Sequence, residues 1–195
     1  MEIEVKVLEI DKEKIRQRLQ AIGCQPISHE LQMNQLYDFP DNRLDQADGS
    51  YIRLRSIYNF LTDKKHYLLT LKETVSRQKY KIAEETETIV ADFDAMHTFL
   101  LKLGFHQTRT DEKIRETYQW DTIIFEIDEW AGLPPYLEVE ATNEEAVKKG
   151  LEMVGYSLQE STSQNLREVL MMYGIKSSNL RFSDFGRNPI NEFNK

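Results

Sequence analysis

A single cysteine, Cys24, in 195 residues leaves nothing from which to build an internal disulfide or a Cys-based zinc site, and it suits a reducing, cytoplasmic setting. The four histidines, His29, His66, His97 and His106, share no metal-ligand spacing and read as surface or internally satisfied side chains. No apolar run approaches the roughly 20 residues that cross a bilayer, and the first residues carry a strand pattern rather than that of a signal peptide. P-loop, G-x-G-x-x-G and G-x-S-x-G patterns are all missing. Basic residues are in the minority, 25 Lys and Arg against 33 Asp and Glu, and the net charge of −8 argues against a general nucleic-acid binder. What remains is a soluble globular composition, 40% hydrophobic and 30% charged, in a length that suits one domain with a real core.

The first ten residues set the theme. Ile3, Val5 and Val7 alternate with Glu2, Glu4 and Lys6, as in a strand with one apolar and one charged face. The Glu-x-Glu pair recurs at Glu85–Glu87 and Glu138–Glu140. Same-face carboxylates on a strand lie roughly 7 Å apart, and at an effective dielectric near 20 their repulsion is about 2 kcal/mol. On a solvated face that cost is screened; in a cavity it calls for cations, from Lys and Arg or from bound metal.

Along the chain, Asp11, Asp92 and Asn143 are N-caps for helices that close at Gly23, Gly104 and Gly155. Each helix follows a Glu-x-Glu strand, a weak internal repeat of three strand–helix modules. Between them lie strand-like segments: 25–39, 50–55, 66–72, 80–90, 105–120, 122–130 and 136–141. A fourth helix is expected over roughly 163–173, followed by a polar tail at 175–195 that reads more readily as disordered than as cover for a cavity mouth. The tally is α+β, dominated by an antiparallel sheet able to close on itself.

Basic residues form i, i+2 pairs within these strands: Arg53 and Arg55, Lys79 and Lys81, Lys113 and Arg115. In a globally acidic protein this points to a concentrated site for a small polyanion; the alternative is cross-strand ion pairing on an exposed sheet. If the sheet closes, the lumen face carries Glu2, Glu4, Lys6, Arg53, Arg55, Lys72, Lys79, Lys81, Glu85, Glu87, Lys113, Arg115, Glu126, Asp128, Glu138 and Glu140. Dry burial of so many ions would cost several kcal/mol each, so such a lumen is wet, and filled by ligand when it works. Arg and Lys suit phosphate oxygens, and clustered carboxylates are hard donors for Mg²⁺ or Mn²⁺ bridging to phosphate.

Glu2-x-Glu4-x-Lys6 resembles the opening signature of the CYTH superfamily, the triphosphate tunnel metalloenzymes. Matching segments follow in order: Leu36–Tyr37–Asp38, Ile52–Arg53–Leu54–Arg55, Leu69–Thr70–Leu71–Lys72, Lys81 to Glu87, Lys113–Ile114–Arg115, Ile127–Asp128 and Leu137–Glu138–Val139–Glu140. The resemblance spans roughly 1–174 and implies a closed eight-stranded antiparallel barrel flanked by helices. It implies an enzyme that acts on a small triphosphate such as tripolyphosphate, thiamine triphosphate or ATP, with Mg²⁺ or Mn²⁺.

By that likeness, Arg53, Arg55, Lys72, Lys81, Lys113 and Arg115 hold the triphosphate, with Lys6 at the edge of the phosphate cluster. Glu2, Glu4, Glu138 and Glu140 carry the metal, helped by Asp128. Glu85 and Glu87 orient basic residues or bind a second ion. Hydrolysis of the terminal phosphate is favoured, because it needs only the tunnel; the alternatives are a class IV adenylyl cyclase and a non-catalytic polyphosphate- or nucleotide-binding module. Neither nucleic acid nor membrane is an expected partner, and a homodimer is left open. The family's last helix often carries a Ser–Tyr pair where this chain has Asn165–Leu166, and no role is carried over there.

Overall fold

A computed structural model describes residues 3–76, 82–175 and 179–193. Glu2, Lys79 and Lys81 therefore lie outside the described residues. The chain begins with β1 (Ile3–Val7) and α1 (Lys12–Ala21), then β2 (Gln25–Asp38) and a short α2 (Arg43–Asp48). The strands β3 (Tyr51–Asn59), β4 (Lys64–Ser76) and β5 (Ile82–Val90) lead into α3 (Phe93–Lys102). After β6 (His106–Trp120), β7 (Ile123–Trp130) and β8 (Tyr136–Ala141) come α4 (Glu144–Met153) and α5 (Leu166–Met172). A two-residue β9 (Asn179–Leu180) and α6 (Pro189–Phe193) complete the chain.

The strands form one sheet in the order β1-β8-β7-β6-β2-β3-β4-β5, antiparallel throughout, with β9 added parallel to β6. This corrects the expected closed barrel: the sheet curves strongly, but among the described residues no ladder joins β1 to β5. The outer edge of β1 is already in use. Lys6 N–H donates to the Thr162 carbonyl at 2.7 Å and the Thr162 N–H donates back at 2.8 Å. Backbone groups spent on that bridge are not free for β5.

The outward face is apolar and carries the helices. Ile3, Val5 and Val7 pack with Phe125, Leu137 and Val139 against Ile15 and Leu19 of α1 and Val147 and Leu151 of α4. Each fully buried aliphatic side chain here contributes about 1.5–3 kcal/mol. The sequence places these helices through their caps: Asp11, Asp92 and Asn143 accept from the backbone N–H of Lys14, Ala95 and Ala146. Gly150 lets α4 lie close on β8, since a Cβ there would meet Val139 Cγ1 at 2.8 Å. Tyr37, Leu54, Val90 and Leu100 make a second cluster under α3.

Two features differ from the sequence-based expectation. The helix α2 was not foreseen; buried Asp38 builds it by accepting from the N–H groups of Leu44 and Asp45 at 3.1 and 3.0 Å. Nor is 179–193 a loose tail. β6 has 15 residues and β7 only eight, so the start of β6 lacks a partner on that side. There β9 pairs with Thr110 and Asp111, and Leu180 and Phe182 bury themselves among Trp130, Tyr136, Val169 and Leu170. No helix among the described residues is long and apolar enough to cross a membrane.

Candidate active site

The concave face of the sheet is the polar one. It bounds a cavity of about 1370 Å³, closed on one side by α2 and α5. Period-two alternation puts Glu4 and Lys6 there from β1, Arg53 and Arg55 from β3, Lys72 from β4 and Glu85 and Glu87 from β5. β6 supplies Lys113 and Arg115, and β8 supplies Glu138 and Glu140.

Register sets the neighbours. Glu4 stands opposite Glu140, and Lys6 opposite Glu138. One carboxylate oxygen each from Glu4, Glu138 and Glu140 falls within 4.8 Å of the others. Lys6 Nζ lies between them, 2.9 Å from Glu4 and 3.1 Å from Glu138. Burial and then the charges of Glu126 and Glu138 push Glu140 up to about 8. It makes no hydrogen bond or ion pair among the described residues. Burial acts in the same sense on Glu138, but Lys6, Arg115 and Lys113 outweigh it and hold that carboxyl well below the usual range. A convergent set of hard oxygen donors, one of them raised by burial and by the neighbouring carboxylates, fits a metal ion.

The cations are mostly paired. Buried Asp128 accepts from Lys113 Nζ at 2.9 Å and from Arg115 Nε and Nη2, each at 2.6 Å. Arg115 also meets Glu126 and, at 2.6 Å, Glu138. Asp128 is thus engaged with cations and is not among the three converging carboxylates. Glu85 accepts from Lys72 and, at 3.2 Å, from Arg53. Glu87 accepts from Thr70 at 2.7 Å. Burial, reinforced by Arg115, lowers Lys113 to about 8.

Two donors stand out. Arg53 Nε is buried without a hydrogen-bond partner among the described residues. Arg55 has no carboxylate partner among them; its Nε donates to Asn34 Oδ1 at 2.7 Å. Burial, then the nearby Arg53 and Arg115, lowers Arg55 to about 10. A bound anion would relieve that repulsion.

Some site residues escaped the sequence reading. Arg109 and Asp111 face the cavity on the same side of β6 as Lys113 and Arg115; carrying the alternation two steps back would have found them. Asn34 and Thr70 carry no charge and gave no signal. Asn165 caps α5 by accepting from the Glu168 N–H at 3.1 Å, while Leu166 lines the cavity rim.

A sequence model described as the CYTH domain matches residues 1–167. A protein from Methanocaldococcus jannaschii provisionally named an adenylate cyclase is 25% identical over 180 residues, which cover 92% of this chain and 93% of that one. Among solved structures, a conserved hypothetical protein from Pyrococcus furiosus superposes with a TM-score of 0.70 at 20% identity, over 86% of this chain and 99% of its own. A protein from Vibrio parahaemolyticus provisionally named an adenylate cyclase gives 0.72 at 17% identity, over 87% and 97%. A Hippeastrum protein provisionally named an adenylyl cyclase, with a dominant triphosphatase activity, gives 0.63 at 21%, over 91% and 98%. These structural likenesses speak for the fold. With its family signature matched over most of its length and the charged concave sheet to go with it, the chain belongs to the CYTH domain family.

Proposed function

We propose that the protein is a divalent-metal-dependent enzyme that hydrolyses the terminal phosphate of a triphosphate. The observation that carries this reading is one cavity holding both a converging carboxylate trio and an array of cations in which, among the described residues, Arg53 Nε has no hydrogen-bond partner and Arg55 has no carboxylate partner. Glu4, Glu138 and Glu140 would hold Mg²⁺ or Mn²⁺, which supplies charge neutralisation at phosphate oxygens. Arg53, Arg55, Lys72, Lys113 and Arg115 bind and orient the triphosphate, with Lys6 at the edge of the phosphate cluster. Asp128, Glu85 and Glu87 hold those cations in place. Water attacks the terminal phosphorus, the bond to the bridging oxygen breaks, and orthophosphate and the diphosphate leave. Positioning and charge stabilisation do most of the catalysis in such transfers.

The second reading is cyclisation of ATP, with the ribose 3′-hydroxyl attacking the α-phosphorus and pyrophosphate leaving; the name of the M. jannaschii relative favours it. A product assay with Mg²⁺ or Mn²⁺ separates the two. Tripolyphosphate, ATP and thiamine triphosphate are offered singly, and phosphate, pyrophosphate and cyclic AMP are quantified. Orthophosphate is the expected product. Cyclic AMP with equimolar pyrophosphate would replace the hydrolase by a cyclase, and tight binding without any product would reduce the site to a binding module.

A further inference from the structure

Arg55, Asn34 and Asp111 form a row across three strands. Asn34 stands opposite Arg55 on β3 and opposite Asp111 on β6. Asn34 Oδ1 accepts from Arg55 Nε at 2.7 Å, and its Nδ2 donates to Asp111 Oδ1 at 2.8 Å. Asp111 Oδ2 in turn accepts from Arg109 Nε at 2.7 Å. Asn34 and Asp111 are 2% and 0% exposed, so neither can exchange these partners for water. A guanidinium only donates and a carboxylate only accepts, which fixes the amide in this orientation. On its far side, the Thr110–Asp111 stretch is pinned by β9.

Arg53, Lys72, Lys113 and Arg115 are each oriented by a carboxylate, which also offsets their charge. Arg55 is oriented by a neutral amide. We infer that Asn34 is a positioning residue that aims Arg55 into the cavity while leaving its charge for the substrate, with Asp111 fixing Asn34. This rests on the reading of the cavity as a triphosphate site. The chemistry it serves is the capture of a phosphate group by a guanidinium with its remaining N–H donors free.

A double-mutant cycle with calorimetric titration of tripolyphosphate tests it. Asn34→Leu is expected to weaken binding about tenfold or more in the otherwise unaltered protein, the scale of a lost hydrogen bond to a charged group. In an Arg55→Ala background the same change should cost less than about twofold, because Asn34 acts through Arg55. Equal losses in both backgrounds, or none in the first, overturn the inference while leaving the site intact. If Arg55→Ala itself leaves tripolyphosphate affinity unchanged, the functional reading of Arg55 fails and the inference falls with it. Should Asn34→Leu not fold, Asn34→Ser runs the same cycle, since a hydroxyl is too short to span both neighbours.

Discussion

Replacing Asp128 by Asn keeps the side chain's size and removes its charge, and the structure sets the cost. The carboxylate is fully buried and takes three charge-assisted hydrogen bonds, from Lys113 at 2.9 Å and from Arg115 at 2.6 Å twice. Removing one partner of a buried ion pair costs about 3–5 kcal/mol. Arg115 keeps Glu126 and Glu138, so the lower end applies, about 3 kcal/mol. Lys113 keeps no hydrogen-bonded carboxylate among the described residues, only the attraction of Glu138 and the face of Trp130, 4.9 Å from its Nζ. Already lowered to about 8 by burial and by Arg115, it is expected to shed its proton near neutral pH once Asp128 is gone. In a chain of this length, about 3 kcal/mol corresponds to a Tm lower by about 6–12 °C. Thermal unfolding followed by circular dichroism measures this directly. Tripolyphosphate should narrow the deficit, because it brings negative charge back beside Lys113 and Arg115. A Tm within about 2 °C of the unaltered protein, the shift expected from about 0.5–1 kcal/mol, would refute the account of Asp128 as the anchor of these cations.

Glu140→Gln should behave in the opposite way: with a carboxyl pushed up by burial and by its acidic neighbours, its neutralisation leaves metal-free stability unchanged or higher, yet Mg²⁺ should then raise Tm far less than in the unaltered protein; a metal-free loss above about 1 kcal/mol would contradict this. Glu116 is held low by Arg16 against the opposing effect of burial, so the pair's stabilisation is present above pH about 4.5 and is lost as pH falls further; in Arg16→Met the acid limb of a Tm-against-pH profile should flatten, and an unchanged limb would rule the pair out as its cause. Phe182, 1% exposed, joins the C-terminal segment to the core, and Phe182→Ala should cost about 3–5 kcal/mol in urea unfolding; a loss below about 1 kcal/mol would mean that the segment merely rests on the surface.

The strands that carry ionic alternation were legible because period two puts every second residue on one face, and the charges of Glu4, Lys6, Arg53, Arg55, Lys113 and Arg115 marked which face it was. Helix starts at Asp11, Asp92 and Asn143 were legible because capping is local chemistry. Closure of the sheet was not, since it depends on whether the outer edge of β1 is free, and Thr162, distant in sequence, uses it. The C-terminal segment misled for a similar reason. Its polar composition hides Leu180 and Phe182, whose burial exists only because β6 outruns β7. The role division among carboxylates was legible only in part: the family likeness set Asp128 beside the metal-bearing Glu138 and Glu140, whereas register turns Asp128 toward Lys113 and Arg115 and leaves Glu138, itself bonded to Arg115, in the converging trio.

The cavity is not a simple positive trap. An ion pair at 2.9 Å is worth about 6 kcal/mol at an effective dielectric near 20, so each matched carboxylate largely cancels its cation as seen from a distance. On the proposed function, such a surface would grip a polyanion mainly by exchange: phosphate oxygens would take over hydrogen bonds from Asp128 or Glu85, and the carboxylates so displaced would remain as neighbours that repel the newcomer. Two features offset that repulsion. Divalent cations at Glu4, Glu138 and Glu140 would carry positive charge into the acidic side of the cavity, and Arg55, oriented by an amide, brings a charge that no carboxylate among the described residues pairs directly. On the inference drawn above, a neutral residue such as Asn34 bears on anion affinity through the charged side chain that it orients.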